Sequence, residues 1–353
     1  MIHKIKISNF KSINELELEL GRVNVLIGEN GCGKTNILEA IVLGSVRVYS
    51  GKSFENILLA SRGFRVTDKS LIRPAFIDDD NTNISNLFIN AENIGVSVEA
   101  KVSDEVVVRT EEHKKSSNGN EKMYKEVEKL FGNQDLYNFT IFCPENYFLR
   151  RFEEEGQIKP LGTRGEGLFK HLVKLHREHP EIIQKMNEKL RLIDWFGGFE
   201  IPNDLMFTET RLNIKDRYLE GLEYFDQRSA NEGFLHLLFY FTLFMSPYTP
   251  GFFAIDNIDT ALNPKLAARL IKELTIIAKE NNKQVLLTTH NPGLLDGLDL
   301  EDEQQKLFTV YRNIDGETYA RAVRPLREVE GVEKVRLSEA FIRGYLGGIP
   351  SNF

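Results

Sequence analysis

An α/β fold with a mixed core sheet, an N-terminal antiparallel β subdomain and a helical lobe is predicted by three observations. First, the apolar run at 23–27 ends in Gly28-Glu29-Asn30-Gly31-Cys32-Gly33-Lys34-Thr35, which fits G-x-x-x-x-G-K-[ST], and the amphipathic stretch 36–41 follows at once. Second, two strand-like runs precede it, IHKIKIS at 2–8 and the strictly alternating ELELEL at 15–20. Third, apolar runs at 251–256 and 284–290 flank an amphipathic helical stretch, the pattern of parallel strands joined by a crossover.

The Gly-rich run carries the chemistry. Gly28, Gly31 and Gly33 allow backbone N–H groups to turn inward around phosphate oxygens, and the new helix adds its positive end. In that motif Lys34 reaches the β/γ-phosphates and Thr35 holds Mg²⁺. The sequence therefore predicts a nucleoside triphosphate ligand.

At 353 residues the chain can bury a full α/β core with a second small lobe, and 41% hydrophobic and 27% charged residues are ordinary for a globular protein. No apolar run approaches the ~20 residues of a membrane span, and MIHKIKISNF reads as a strand rather than a leader, so a cytoplasmic location without membrane contact is expected. Two cysteines, Cys32 and Cys143, make neither a disulfide framework nor a four-ligand metal site. Cys32 lies at a helix N-terminus, which suggests a depressed thiol pKa and a redox gate, although a tolerated loop position is the plainer reading. A net charge of −7 argues against an overall nucleic-acid coat while allowing a local basic groove.

Along the chain, Asp78-Asp79-Asp80-Asn81 reads as a solvated turn, since it lacks the Gly and Glu of a calcium loop. Residues 94–102 and 105–109 predict a hairpin turned at Ser103-Asp104, and 111–129 a charged loop leading into a short helix. Tyr137–Cys143 predicts a core strand stopped by Pro144, and 145–151 a loop at the nucleotide's edge. From 167 to 193 helical spacing dominates. His171, His176 and His179 within it lack acidic or Cys partners and read as surface residues. Gln227–Gly233 opens FLHLLFYFTLFMS, a helix whose all-round hydrophobicity implies burial in protein. Gly251–Asp256 is a strand ending in an acid, the form of the second magnesium motif of P-loop ATPases. Leu262-Asn263-Pro264 opens the next helix, Gln284–His290 is a buried strand ending on histidine, and 308–312 with 319–323 form a hairpin turned at Asp315-Gly316.

Taken in order, KISNFKSI, VLIGENGCGKTNILEAI, the Gly-bearing turn before an apolar helix, the strand ending in Asp256, Leu-x-Pro and Thr-Thr-His-x-Pro resemble the ABC-type P-loop NTPase head of the RecF, SMC and OLD families. The resemblance is strongest to prokaryotic "AAA family ATPases" that stand beside effector genes in anti-phage defence. It covers nearly the whole chain, with 50–165 matching in outline. By length the chain is expected to lack the nuclease domain of OLD proteins and the coiled coil of SMC proteins.

The resemblance implies ATP and Mg²⁺ as cofactors. Gly28, Glu29, Asn30, Gly31, Cys32, Gly33, Lys34, Thr35 and Asn36 would form the nucleotide cradle, with Asp256 holding Mg²⁺ beside Thr35. His290 would be the switch histidine at the γ-phosphate, and 262–264 the loop that crosses to a second subunit. Gly233, with Asn231 two before it, would occupy the S-x-G signature that caps the partner's nucleotide. Asn231 departs from the usual Ser, and Ser229 is a stand-in two residues out of register. The second departure is Asn257, where the family has the Glu that activates water. An amide cannot take that proton, and losing a positioned base costs ~10²–10⁴ in rate, about 3–5 kcal/mol. Asp259, two residues on, is the acid that would replace it if the turn allows; otherwise it caps the turn.

The implied organisation is a first ATPase-lobe segment at 1–164, a helical signature lobe at 165–232 and a second ATPase-lobe segment at 233–353. The implied function is a slowly or partner-gated ATPase that dimerises around ATP, or forms a higher homo-oligomer, and controls a separately encoded nuclease or toxin. The alternative is a RecF-like DNA-binding ATPase, with Lys114, Lys115, Lys122, Arg150 and Arg151 as its basic surface. A transporter subunit would carry an LSGGQ-like run and a P-loop kinase a second substrate motif; neither is found.

Overall fold

The computed structural model describes residues 1–50, 60–65, 84–91, 94–101, 106–111, 136–152, 161–202, 210–221, 223–325 and 335–347. The chain opens with β1 (Ile2–Phe10) and β2 (Ile13–Glu19), an antiparallel pair. Period-two patterning explains their pairing: Ile5, Ile7, Leu16 and Leu18 are buried, while Lys4 pairs with Glu17 at 2.5 Å and Lys6 with Glu15 at 2.7 Å on the other face. β4 (Ile84–Ala91), β5 (Ile94–Lys101) and β6 (Val106–Glu111) extend this pair into an antiparallel sheet of order β2-β1-β4-β5-β6. The predicted β5–β6 hairpin is present, with its turn outside the described residues; so are the acidic run at 78–81 and Lys114, Lys115 and Lys122.

The second sheet holds β3 (Val23–Gly28), β7 (Ile141–Phe142), β10 (Phe252–Ile255), β11 (Gln284–Thr289), β12 (Gln305–Arg312) and β13 (Thr318–Ala322), in the order β13-β12-β3-β11-β10-β7. β12, β3, β11, β10 and β7 run parallel, and β13 pairs antiparallel with β12. The five parallel strands end on one edge of the sheet, where open α/β folds bind ligands.

Alternate residues of β3 face opposite layers. Leu26 joins α1 (Lys34–Ser50) and the antiparallel sheet in one core cluster, whereas Val25 and Ile27 join the helices on the other face. Those helices are α2 (Asn146–Arg151), α3 (Leu168–Glu178), α4 (Pro180–Leu190), α5 (Glu232–Met245) and α6 (Pro264–Glu280), followed near the end by α7 (Leu337–Ile342). Every residue of α5 from Phe234 to Met245 is buried, as its unbroken hydrophobicity requires. A small hairpin of β8 (Phe196–Glu200) and β9 (Asn213–Asp216) follows α4.

Three expectations are corrected. The strand expected over Tyr137–Cys143 is only β7, because Leu136–Asn138 turns as a 3₁₀ helix first. The loop expected at 145–151 is α2, closed by Phe152 in the left-handed region at φ 53°. His171 is not a surface residue: it is 4% exposed and shares a 2.8 Å hydrogen bond with the Ser246 hydroxyl. It lies on the Leu168–Leu172–Leu175 stripe of α3, which faces the core.

Candidate functional site

The phosphate loop leaves β3 at Gly28 and enters α1 at Lys34. Gly31 (φ 75°) and Gly33 (φ 109°) occupy backbone regions that strongly favour glycine. A methyl group on Gly33 would also collide with the Thr318 side chain, so β13 sits directly behind the loop. A hydrogen-bond relay fixes this arrangement. The Asn36 amide donates to Ser12 Oγ (2.8 Å), Ser12 Oγ meets Thr318 Oγ1 (2.7 Å), and Thr318 Oγ1 donates to the Cys32 carbonyl (2.9 Å). Glu29, Asn30 and Gly31 are exposed at the mouth, while Cys32, Gly33 and Lys34 are buried.

Lys34 Nζ donates to the carbonyls of Gly28 (2.9 Å) and Glu29 (2.8 Å) and approaches His290 Nδ1 at 3.4 Å. Burial pushes its ammonium below the ordinary lysine value. An ammonium only donates, so Nδ1 of His290 is the acceptor and the neutral ring carries its proton on Nε2. Partial burial lowers the His290 pKa and the Lys34 charge lowers it further, opposed by Asp259 and Asp256.

Cys32 departs from the depressed thiol expected of a helix N-terminus. Its side chain is 5% exposed, and burial outweighs the Lys34 charge and raises its pKa. The redox gate loses its physical basis, because the thiolate is the reactive form.

Asp256 follows β10 and is 2% exposed. It accepts from Thr288 Oγ1 at 2.5 Å and from Thr35 Oγ1 at 3.1 Å, and Thr288 Oγ1 in turn receives the Asn257 N–H at 2.8 Å. A hydroxyl and a carboxylate within reach of each other are the hard oxygen donors Mg²⁺ takes, and two protein oxygens leave room for waters and phosphate. The residues present therefore fit Mg²⁺ at Thr35 and Asp256.

Asn257 has φ 57°, a left-handed conformation in which Asn is less costly than a longer side chain. Asp259 does not cap the turn through Oδ1, which is buried with no hydrogen-bond partner. The helix-capping role falls to Asn263, whose Oδ1 accepts from Leu266 N–H at 2.9 Å.

Asn231 caps α5, accepting from Phe234 N–H at 2.8 Å, and is exposed together with Glu232. Gly233 packs against the Ala261 carbonyl and the Leu262 side chain, just beyond the Asp256–Asp259 turn. Ser229 is exposed, and its backbone N–H bonds to Asp226. Thus Gly28–Asn36, Asp256 and His290 converge on one edge of the sheet, whereas Asn231 stands exposed at the start of α5 with the half-buried Gly233 behind it. Arg150 and Arg151 are engaged within the chain, Arg150 donating to the Arg228 carbonyl at 2.6 Å and Arg151 to the Tyr147 hydroxyl at 2.8 Å.

Three residues escaped sequence reasoning. Thr288 lies inside the Thr-Thr-His run, so its place beside the acid strand was the available clue. Thr318 follows a hairpin turn that marks it in no way. Arg65 forms an ion pair with Asp256 at 2.6 Å across 191 residues of sequence, and no local pattern reports such a contact.

Among described residues, no helix is long and apolar enough to cross a membrane. The chain resembles "DNA replication and repair protein RecF" of Clostridium tetani, 27% identical over 228 residues covering 62% of this chain and 53% of that protein. RecF of Clostridioides difficile is 30% identical over 146 residues, 41% of this chain and 32% of that protein. The chain spans about half the length, or less, of the curated relatives it matches. Among solved structures, an Smc head bound to the C-terminal winged-helix domain of ScpA covers 92% of this chain and 98% of its own at a TM-score of 0.63 and 14% identity. The SMC head domain of Thermotoga maritima covers 92% and 99% at 0.51 and 17%. These likenesses establish the fold of a RecF/SMC-class ABC-type ATPase head. The family model described as "AAA domain, putative AbiEii toxin, Type IV TA system" matches residues 23–296, most of the chain, and the protein belongs to that family.

Proposed function

We propose that this protein is an ATP-driven switch that closes head-to-head with a second copy around two Mg·ATP molecules and thereby controls a separately encoded effector, a nuclease or toxin, in anti-phage defence. The observation that carries the closure is the split of the site. The phosphate loop, Asp256 and His290 gather on one sheet edge, while Asn231 and Gly233 stand at the exposed start of a 14-residue helix suited to a second copy's phosphate. The dimer could extend to a higher homo-oligomer. The effector and the defence role rest on the family resemblance, and the cytoplasm is the compartment that suits them.

In this reading Lys34 and the loop N–H groups bind phosphate, Thr35 and Asp256 hold Mg²⁺, and His290 donates from Nε2 to a γ-phosphate oxygen. Held by Thr35 and Asp256, Mg²⁺ would supply positive charge to offset the charge developing on the transferred phosphoryl group. Asn257 orients water without accepting its proton. Asp259, whose Oδ1 is buried without a partner, is the acid proposed to accept it. The expected outcome is slow turnover and a long-lived ATP-bound dimer.

Mass measurement of the purified chain with ATP, ADP and no nucleotide tests the closure; a species unchanged across all three removes it. Turnover near the ~10 s⁻¹ typical of enzymes would overturn slow hydrolysis. If Asp259 is the base, Asp259→Asn should lower turnover ~10²–10⁴-fold. If Asn257→Glu instead raises turnover and Asp259→Asn leaves it unchanged, Asp259 is not the base.

The curated relatives named as DNA replication and repair proteins favour a second reading, a DNA-binding ATPase. Retention on duplex DNA that weakens steeply with salt would support it, and no retention at low salt with ATP would remove it.

A further inference from the structure

Asp256 is held in a way the nucleotide reading does not require. Besides the hydroxyls of Thr288 and Thr35, its Oδ2 takes the Arg65 guanidinium at 2.6 Å. A carboxylate 2% exposed needs a countercharge, and removing one partner of such a pair is far more costly than losing a surface ion pair. Arg65 supplies that charge at the same carboxylate that fits Mg²⁺.

We propose that Arg65 is a positioning residue that acts as the built-in countercharge of the magnesium site. It orients and neutralises Asp256 ahead of the metal, and it leaves Oδ2 when a divalent cation arrives. This rests on the reading of Thr35 and Asp256 as the metal site.

The anchoring of Arg65 suits such a part. Its backbone is fixed: the N–H donates to Glu39 Oε1 at 3.1 Å, and Glu39, 2% exposed on α1, also holds Lys11. Two residues before it, Gly63 adopts φ 82° against the Ile141 backbone, where a side chain would clash. The Arg62 carbonyl receives the Ile141 N–H at 2.9 Å. The side chain, by contrast, is 54% exposed, so it can swing off Asp256 by rotamer change without opening the core. A fixed base and an exposed arm favour a reversible pair over a permanent structural one.

The consequence is an ordering of ligands. A divalent cation alone competes with Arg65 for Asp256 and binds weakly. A cation arriving with a nucleotide brings phosphate charge that offsets the loss of the pair. The site thereby disfavours metal without nucleotide.

The test is titration of the full-length chain with Mn²⁺ in the absence of nucleotide, read by electron paramagnetic resonance. Arg65→Ala and Arg65→Gln should each bind Mn²⁺ at least tenfold more tightly than the parent, with Arg65→Lys between. Adding Asp256→Asn to either should erase the gain. Equal or weaker Mn²⁺ binding by both neutral variants, with melting curves showing them folded, would overturn the proposal, as would a gain that survives Asp256→Asn. A fluorescent ATP analogue separates the two readings. A parent chain that fails to bind it defeats the nucleotide reading, while the Mn²⁺ comparison still decides the role of Arg65.

Discussion

The two halves of the proposed composite site are built differently. On the phosphate-loop side, Lys34 and Asp256 are 5% and 2% exposed, and their polar atoms are engaged by the chain's own carbonyls, hydroxyls and Arg65. On the signature side, Asn231 and Glu232 are exposed, and Asn231 spends its oxygen on capping α5. The difference teaches where the work of folding was done. The first half is preformed, so a nucleotide meets side chains already gathered, which exchange internal partners for its own. The second is a stable helix start whose outward groups gain their use from what docks on them. Preorganisation on one side lowers the cost of binding nucleotide, and exposure on the other makes closure depend on a second molecule.

Substitutions at three positions would break or sharpen that contrast. Lys34→Ala should have the largest effect, at least ~100-fold weaker binding of a fluorescent ATP analogue, because a buried charge-assisted contact to phosphate is lost. Unchanged affinity would place the phosphates elsewhere. Thr318→Val keeps the shape behind Gly33 but leaves the Cys32 carbonyl and Ser12 hydroxyl short of a partner, a loss of about 1–3 kcal/mol in denaturant unfolding with weakened nucleotide affinity. Stability that falls while affinity holds would make the relay purely structural. Asn231→Ala should cost about 1 kcal/mol through the lost cap, whereas Asn231→Ser should not. If ATP-dependent dimerisation survives in the Ala variant, Asn231 is a cap and nothing more.

Legibility in the sequence followed the range of the interaction. The phosphate loop, the strand before Asp256 and the strand before His290 were readable because each is a contiguous pattern of apolar residues ended by a functional one. The antiparallel subdomain was readable from KIKIS and ELELEL, whose alternation reappears as the Lys–Glu pairs across β1 and β2. Arg65 was not, since its partner lies 191 residues away and its own segment has no period. His171 was misjudged for a different reason. Its neighbours were weighed as metal ligands, while its spacing to Leu168 and Leu175 already placed it on an inward stripe of α3. For Cys32 the plainer reading, a tolerated loop position, agrees with its burial, which outweighs the Lys34 charge and raises the thiol pKa.

The relay behind the phosphate loop has a consequence for synthesis of the chain. Cys32 waits for Thr318, 286 residues later, before its carbonyl is satisfied and the loop is backed. At ribosomal rates of ~5–20 residues per second, about 15–60 s separate the two on a nascent chain. The strands that flank β3 in the sheet, β11 and β12, also emerge in that last stretch. The nucleotide cradle is thus made long before it can be completed, and a ribosome-bound fragment that ends before Thr318 lacks the backing of its loop.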